Sequence, residues 1–436
     1  MAYNIILGRD ASDKKRFGDS GLINLGKSYV TMGSYTSLSN SLYLDVARSH
    51  VILVAGKRGS GKSYSLGVIA EEIANLPAEV SRNIAPLIFD TMGIFWTMKY
   101  KNEKEKYQLT EWNLEPKSLP VKVFAPIGKI NEYKEKGIPI DQGFALKASE
   151  LEAEDWIVTF NLSMTSQEGV LITNTISQLK KQSDNFTLQE IIKDINQAHN
   201  VNQENKNIAS SLFQAAESWG IFATSKEGTE ITDLVNAGTT TILDLSVYSS
   251  IGAFNVRGLV IGLVSRRLFV QRINARKQEE IQSIQHGIDY MSYNPTRDTP
   301  LIWLFIDEAH EFLPRTYKTP ATDALVQILR EGRQPGISLV LATQQPGQIH
   351  EDVMTQADIV IAHRVTSKPD IEALNQIMQT YLLENIKTSL DNLPSSKGSA
   401  IILDDNSERI YPMRMRPRLT WHGGESPASV KGQSQI

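Results

Sequence analysis

Cysteine is absent from this chain of 436 residues, which excludes disulfide staples, thiol catalysis and cysteine-ligated zinc. Long apolar runs are missing too. No stretch approaches the ~20 residues needed to cross a bilayer, and no apolar segment near the start resembles a secretory leader. Nor does one sign of charge dominate: 45 Lys and Arg stand against 49 Asp and Glu, a formal net charge of −4. Any contact with nucleic acid must therefore come from local basic patches. Together these absences lead to the expectation of a cytoplasmic protein without a membrane partner. A hydrophobic share of 41% and a charged share of 22% leave ample material for a globular core. The length admits two or three domains or one elaborated α/β domain, and no internal repeat is visible.

What is present begins with Gly56-Lys57-Arg58-Gly59-Ser60-Gly61-Lys62-Ser63, which fits the phosphate-binding pattern G-x-x-x-x-G-K-S/T without a mismatch. The apolar run Val51 to Ala55 reads as a buried parallel strand before it, and Tyr64 to Asn75 as an amphipathic helix behind it. Strand, glycine loop and helix thus follow in the order that lets backbone N–H groups and a helix N-terminus converge on one anion. Lys62 is expected to neutralise phosphate, Ser63 to ligate Mg²⁺, and Gly56 through Tyr64 to line the nucleotide. The alternative is a flexible Gly-Ser turn with a solvated lysine.

Organisation along the chain follows composition. Residues 1–42 read as a short N-terminal β element, with strand-like runs at Asn4 to Leu7 and Ser28 to Met32. Residues 43–140 and 234–424 read as a RecA-like α/β core with a mostly parallel sheet, including strands at Ala85 to Asp90, Val121 to Ala125 and Thr239 to Leu245. The polar stretch 141–233 reads as a helical insertion, with helices expected over Thr187 to His199 and Asn207 to Trp219. Residues 425–436 read as a disordered tail.

The second landmark is Leu301 to Ile306, an apolar strand running into Asp307 and Glu308. An acid at the carboxyl edge of a sheet is what Mg²⁺ beside a phosphate loop requires. Asp307 is expected to hold the metal and Glu308 to polarise the attacking water. Two solvated acids capping a helix would be the bland alternative. More than half of the chain separates Lys62 from Asp307, far more than small GTPases or nucleotide kinases use. Asp307-Glu308-Ala309-His310 invites a superfamily 2 helicase reading, yet Arg330 to Arg333 precedes Ala342 to Pro346, and too little chain follows for a second motor domain. No L-S-G-G-Q stretch supports a transporter ATPase.

The order of Gly56 to Ser63, Asp90 with Gly93, Leu243 to Ser246, Asp307 to Pro314, Arg330 to Arg333 and Ala342 to Pro346 resembles the HerA/FtsK group of ring-forming DNA motors, the HerA branch in particular. The ending Arg418 to Gly424 is similar to that of bacterial HerA-like ATPases. The resemblance implies ATP as substrate with Mg²⁺, Glu308 as catalytic acid, Lys62 as phosphate lysine and Gln344 as polar sensor. It also implies a trans arginine finger at Arg333 or, one turn away, Arg330, and an acid beside the site at Asp90. Each has a structural alternative: a strand-end polar residue for Gln344, helix-terminal cations for the arginines, a buried strand-end acid for Asp90.

A homo-oligomer, a hexameric ring in particular, is implied with double-stranded DNA as a partner, bound without sequence preference. Arg315 and Lys318 are candidates for phosphate contact. Six cations between Ala253 and Gln278, set against no acids in that stretch, suit a solvated or subunit-facing helix side. No aromatic-basic interleaving suggests base recognition. Only about forty residues are available where archaeal relatives carry a β-barrel, which together with the Trp421 to Gly424 ending leans toward a partner nuclease or sirtuin-like effector in DNA processing or phage defence. A ring scaffold that licenses such an effector, with little translocation of its own, is the second function class. A monomeric P-loop kinase is the third.

Overall fold

A computed structural model describes residues 3–32, 35–225, 227–248, 255–378, 386–394 and 396–425. The tail expected to be disordered lies outside these residues, apart from Glu425. Among the described residues thirteen strands share one sheet: β1 (Ile5–Leu7), β2 (Leu22–Met32), β3 (Tyr35–Asp45), β4 (Val51–Ala55), β5 (Ile84–Asp90), β6 (Lys122–Pro126), β7 (Gln142–Phe144), β8 (Thr241–Asp244), β9 (Leu301–Ile306), β10 (Ile337–Thr343), β11 (Ile359–His363), β12 (Ser399–Asp404) and β13 (Arg409–Met415). Their spatial order is β1-β3-β2-β13-β12-β11-β4-β10-β9-β5-β8-β6-β7.

The centre is parallel, and β4, the strand that leads into the glycine loop, lies between β10 and β11. Strands β5, β10 and β11 are buried along their whole length, as continuous apolar runs demand when both faces are covered. Alternation divides them between two cores. Leu53, Leu87, Leu304 and Leu341 face the inserted helices and the long helix Val256–His286, among Trp156, Ile172, Phe213 and Leu259. Ile52, Val54, Phe305 and Val340 face Leu66, Ile69 and Ile73 of the helix Lys62–Ala74, together with Leu7, Leu25 and Leu42 of the first strands. Each fully buried leucine or isoleucine contributes about 1.5–3 kcal/mol relative to an exposed one.

Residues 141–233 open with β7, which pairs with β6, and continue as the helices Ala153–Thr159, Gln167–Gln182, Leu188–Gln197 and Gln203–Ser218. Thr187 starts the third of these through a reciprocal capping box with Glu190. The fourth starts earlier than periodicity suggests, because Asn202 caps it through Glu204 N. An aromatic nucleus, with Trp156 4.9 Å from Phe213 and 5.6 Å from Phe160, holds the group together.

The long helix also departs from expectation. It runs to His286, and Ala253 lies outside the described residues. Its arginines are occupied: Arg257 pairs with Glu311 at 2.8 Å, Arg266 with Asp155 at 2.6 Å, Arg267 with Glu150 at 2.9 Å and buried Arg272 with Glu279 at 3.2 Å. The first three join the helix to other elements, while Arg272, paired within the helix, reaches out by donating to Pro335 O and Thr299 O at 2.8 Å each.

The N-terminal strands attach to the core through a buried polar knot. Arg9 pairs with Asp45 at the end of β3, and His50, just before β4, donates to Asp358 at 2.6 Å and faces Asp45 at 3.6 Å. Burial alone would push the imidazole pKa down, yet Asp358 and Asp45 raise it from 6.5 to about 9. The sign follows from linkage. A group protonated more readily when folded stabilises fully below its unfolded pKa near 6.5, and this contribution is lost as pH rises through about 9. Denaturant unfolding is therefore expected to show a loss on the order of 3 kcal/mol between pH 6.5 and 9.5. In His50→Gln that pH-dependent part should vanish. An unchanged pH slope in the variant would refute the assignment.

Candidate nucleotide site

Gly59 and Gly61 adopt φ of 73° and 112°, the left-handed region in which a side chain is strained. This curls the chain between β4 and the helix Lys62–Ala74, and a Ser60 N to Lys57 O bond of 3.1 Å closes the curl. The loop is anchored to both neighbouring strands, since Gly56 N donates to Thr343 O at 3.2 Å and Lys57 N to Arg364 O at 3.1 Å. Arg58 is exposed at its outer rim. Beneath the loop lies His363, at the end of β11, its Nε2 2.8 Å from Ser65 Oγ and its Nδ1 3.1 Å from Ser399 O. A Cβ on Gly56 would come within 2.8 Å of the His363 Cβ, so glycine is required there. Burial lowers the His363 pKa to about 4, keeping the ring neutral beside Lys62.

The expected phosphate and metal residues meet. Lys62 is buried, its Nζ resting on the Lys57 carbonyl at 3.4 Å, and the Ser63 hydroxyl donates to the Asp307 carboxylate at 2.5 Å. Burial raises the Asp307 pKa against the pull of Ser63 and Lys62, so its charged form calls for a cation. The Ser60 hydroxyl is buried without a partner. A hydroxyl and a carboxylate in contact are the hard oxygen donors that Mg²⁺ takes, and a buried lysine with an unpartnered hydroxyl suits a phosphate. The residues fit both groups: Ser63 and Asp307 would hold the metal, which would supply charge neutralisation.

Glu308 adjoins Asp307 in an unusual conformation, φ 51° and ψ 44°. Such a backbone costs of the order of 1 kcal/mol or more for a non-glycine residue and persists where its surroundings enforce it. One carboxylate oxygen, Oε2, is buried with no hydrogen bond. Burial first, then the neighbouring Asp307, push the pKa up to about 7. His310, made neutral by burial, stands with Nδ1 3.6 Å from Glu308 Oε2 and 3.2 Å from Thr343 Oγ1. This contact with Thr343 was not apparent from sequence. Gln344 follows directly and is half-buried at the same sheet edge.

Asp90 ends β5 in register beside Asp307, since Phe89 pairs with Ile306, whereas the two candidate arginines lie apart from the glycine loop. Asp90 is fully buried and accepts from Gly93 N and Phe95 N at 2.7 Å each, holding its own turn. Its neighbour Asp244 accepts from Tyr133 at 2.9 Å. Burial raises the pKa of both acids, and the charge of Asp244 adds to the rise at Asp90. Arg330 and Arg333 border a separate cavity of about 750 Å³ against Phe269 and Arg276 of the long helix. Arg330 pairs with Asp352 at 2.7 Å. Arg333 is exposed, with no ion pair among the described residues.

Residues 27–264 match the family described as "Helicase HerA, central domain", and residues 240–379 match "Zonular occludens toxin (Zot)". The DNA double-strand break repair helicase HerA of Pyrococcus furiosus is 27% identical over 175 residues, which are 37% of this chain and 30% of that protein. The matched stretch spans about a third of the length of the curated HerA relatives. The structure of VirB4 of Thermoanaerobacter pseudethanolicus superposes with a TM-score of 0.55 at 12% identity, covering 95% of this chain and 98% of that one. The bacterial conjugative coupling protein TrwB superposes with 0.52 at 12% identity, covering 88% of each. At such identity the two structures carry the fold alone. With more than half of its residues matched to one family, the chain belongs to the HerA helicase central-domain family.

Proposed function

We propose that this chain hydrolyses ATP within a homo-oligomeric ring and uses the cycle to move along double-stranded DNA. The observation that carries the reading is the convergence of Lys62, Ser63, Asp307 and Glu308 from loops more than half the chain apart. In this reading the loop amides and Lys62 bind the phosphates. The free oxygen of Glu308 orients a water and takes its proton as the oxygen adds to the γ phosphorus and the bond to the bridging oxygen of ADP breaks. The held backbone fixes that oxygen before the nucleotide arrives.

Arg333 supports the ring. It is exposed and borders a cavity that shares no lining residue with the glycine loop, so it would complete a neighbour's site rather than its own. DNA contact is assigned to the segment Arg315 to Lys318, which follows β9 and is exposed throughout. Tyr317, 63% exposed, lies between the two cations. Phosphate contacts from the two cations carry no base identity, so binding without sequence preference is expected. A partner nuclease or sirtuin-like effector on the same DNA completes the proposal and rests on the resemblance of the Arg418 to Gly424 ending.

Duplex DNA is expected to raise steady-state ATP turnover several-fold, and Arg315→Glu combined with Lys318→Glu to remove that stimulation. Turnover in the wild type that ignores duplex of every length, in both low and moderate salt, would rule out the DNA motor.

A further inference from the structure

A cavity of about 590 Å³ opens from the glycine loop toward β13. Strand order explains the direction. From β4 the sheet continues through β10 to β9, where Asp307 and Glu308 stand, and on the other side through β11 and β12 to β13. Hydrolysis at Glu308 places the γ phosphate toward β9, so the remainder of a nucleotide must extend toward β13. The cavity does so. Beyond the loop its walls include Tyr64, Gln108, Gly398, Met415 and His422, and neither β9 nor β10 contributes a lining residue.

The far wall is a strap, the chain from Arg416 to His422 that follows β13 and crosses the helix behind the loop. Buried Glu71 on that helix holds it: its carboxylate accepts from Arg416 Nη1 at 3.1 Å, Arg418 Nε at 2.9 Å, Leu419 N at 3.0 Å and Thr420 N at 3.1 Å. Burial opposes the charge, but Arg418 and Arg416 outweigh it and lower the Glu71 pKa. Gly67 leaves the room, because a Cβ there would lie 2.4 Å from Arg418 Nη1. The strap then sets two rings. Tyr64 donates to Glu105 and accepts from Arg418 N, both at 2.7 Å, and meets His422 edge to face with centroids 5.2 Å apart. Arg418 Nη1 donates to His422 Nδ1 at 3.3 Å, which selects the neutral tautomer carrying its proton on Nε2. Burial and then Arg418 lower the pKa of this histidine to about 3, so the ring stays uncharged at any working pH.

We infer that this cavity is the nucleoside half of the site: the base and ribose of the bound triphosphate lie against the Tyr64 and His422 pair, on a wall that Glu71 fastens to the phosphate-loop helix. The inference rests on the P-loop reading above and adds the determinant of nucleoside affinity. Aromatic contact with a base is worth roughly 1–3 kcal/mol, so losing the imidazole costs about tenfold in affinity.

The test is calorimetric titration of the full-length chain with ATP and, separately, with inorganic tripolyphosphate, both with Mg²⁺. His422→Ala is expected to weaken ATP about tenfold and to leave tripolyphosphate unchanged, and His422→Phe to recover most of the ATP affinity. An unchanged ATP affinity in His422→Ala overturns the inference. So does an equal loss for both ligands, which would mean that the strap acts on the loop and not on a nucleoside. The underlying P-loop reading fails separately: Lys62→Ala would then bind both ligands like the wild type.

Discussion

Replacement of Glu308 by glutamine is expected to lower ATP turnover about a thousandfold, the middle of the range for loss of a positioned base, while nucleotide binding persists. The change preserves shape and removes only the charge that can accept a proton. Binding should survive because Lys62, Ser63 and the loop amides are untouched, and Asp307 keeps its contact with Ser63. Two features make Glu308 the base rather than its neighbour. Asp307 is engaged by the Ser63 hydroxyl and the Glu308 amide, whereas Glu308 keeps one buried oxygen unbonded. Burial and the Asp307 charge also bring its pKa to about 7, where a base works best near neutral pH. Single-turnover hydrolysis with excess protein measures the effect. A loss of less than tenfold would show that another group activates the water.

Removal of Arg333 should cost a comparable or greater factor, about a thousandfold or more if it acts as a finger on a neighbouring nucleotide. A guanidinium suits that role because its planar fork binds phosphate oxygens bidentately and does not lose its charge. Arg330 is already committed to the buried Asp352, and its replacement should cost about 1–3 kcal/mol of stability by leaving that acid without its donor, with little loss of turnover. Mixing provides the sharper measurement. Arg333→Ala subunits keep an intact glycine loop and Lys62→Ala subunits keep an intact arginine, so each variant alone is inactive. Mixed rings regain turnover where a Lys62→Ala subunit offers its arginine to an Arg333→Ala site. Activity of the mixture that stays at the sum of the separate variants would exclude action in trans.

The first prediction concerns a residue that is legible from local sequence, and the reason is physical. A parallel strand buried on both faces must be an uninterrupted apolar run, so Val51 to Ala55 and Leu301 to Ile306 announce themselves. The chemistry sits at their carboxyl ends, where Gly56 to Ser63 and Asp307 to Glu308 follow directly. The start of the helix Leu188–Gln197 was legible for a similar reason, since Thr187 and Glu190 form a cap within four residues, whereas the start at Gln203 was not.

Less of the electrostatics was readable. The arginines of the long helix looked unpaired because the acids that hold them, Glu150, Asp155 and Glu311, come from distant elements. His363 gave no signal beyond ending an apolar strand, and only the parallel placement of β11 beside β4 puts it under the glycine loop.

By itself, then, the sequence determined the phosphate loop, the acidic strand end, the α/β class and the family, because each depends on spacing within a few residues or on the order of such segments. Tertiary structure decided how the ends of the chain are used. Strand β13 pairs with β2 and joins the first strands to the core sheet, and the strap after β13 reaches Glu71 across about 345 positions. Those contacts are set by which strands become neighbours and by which buried charges must find partners. Local periodicity carries neither.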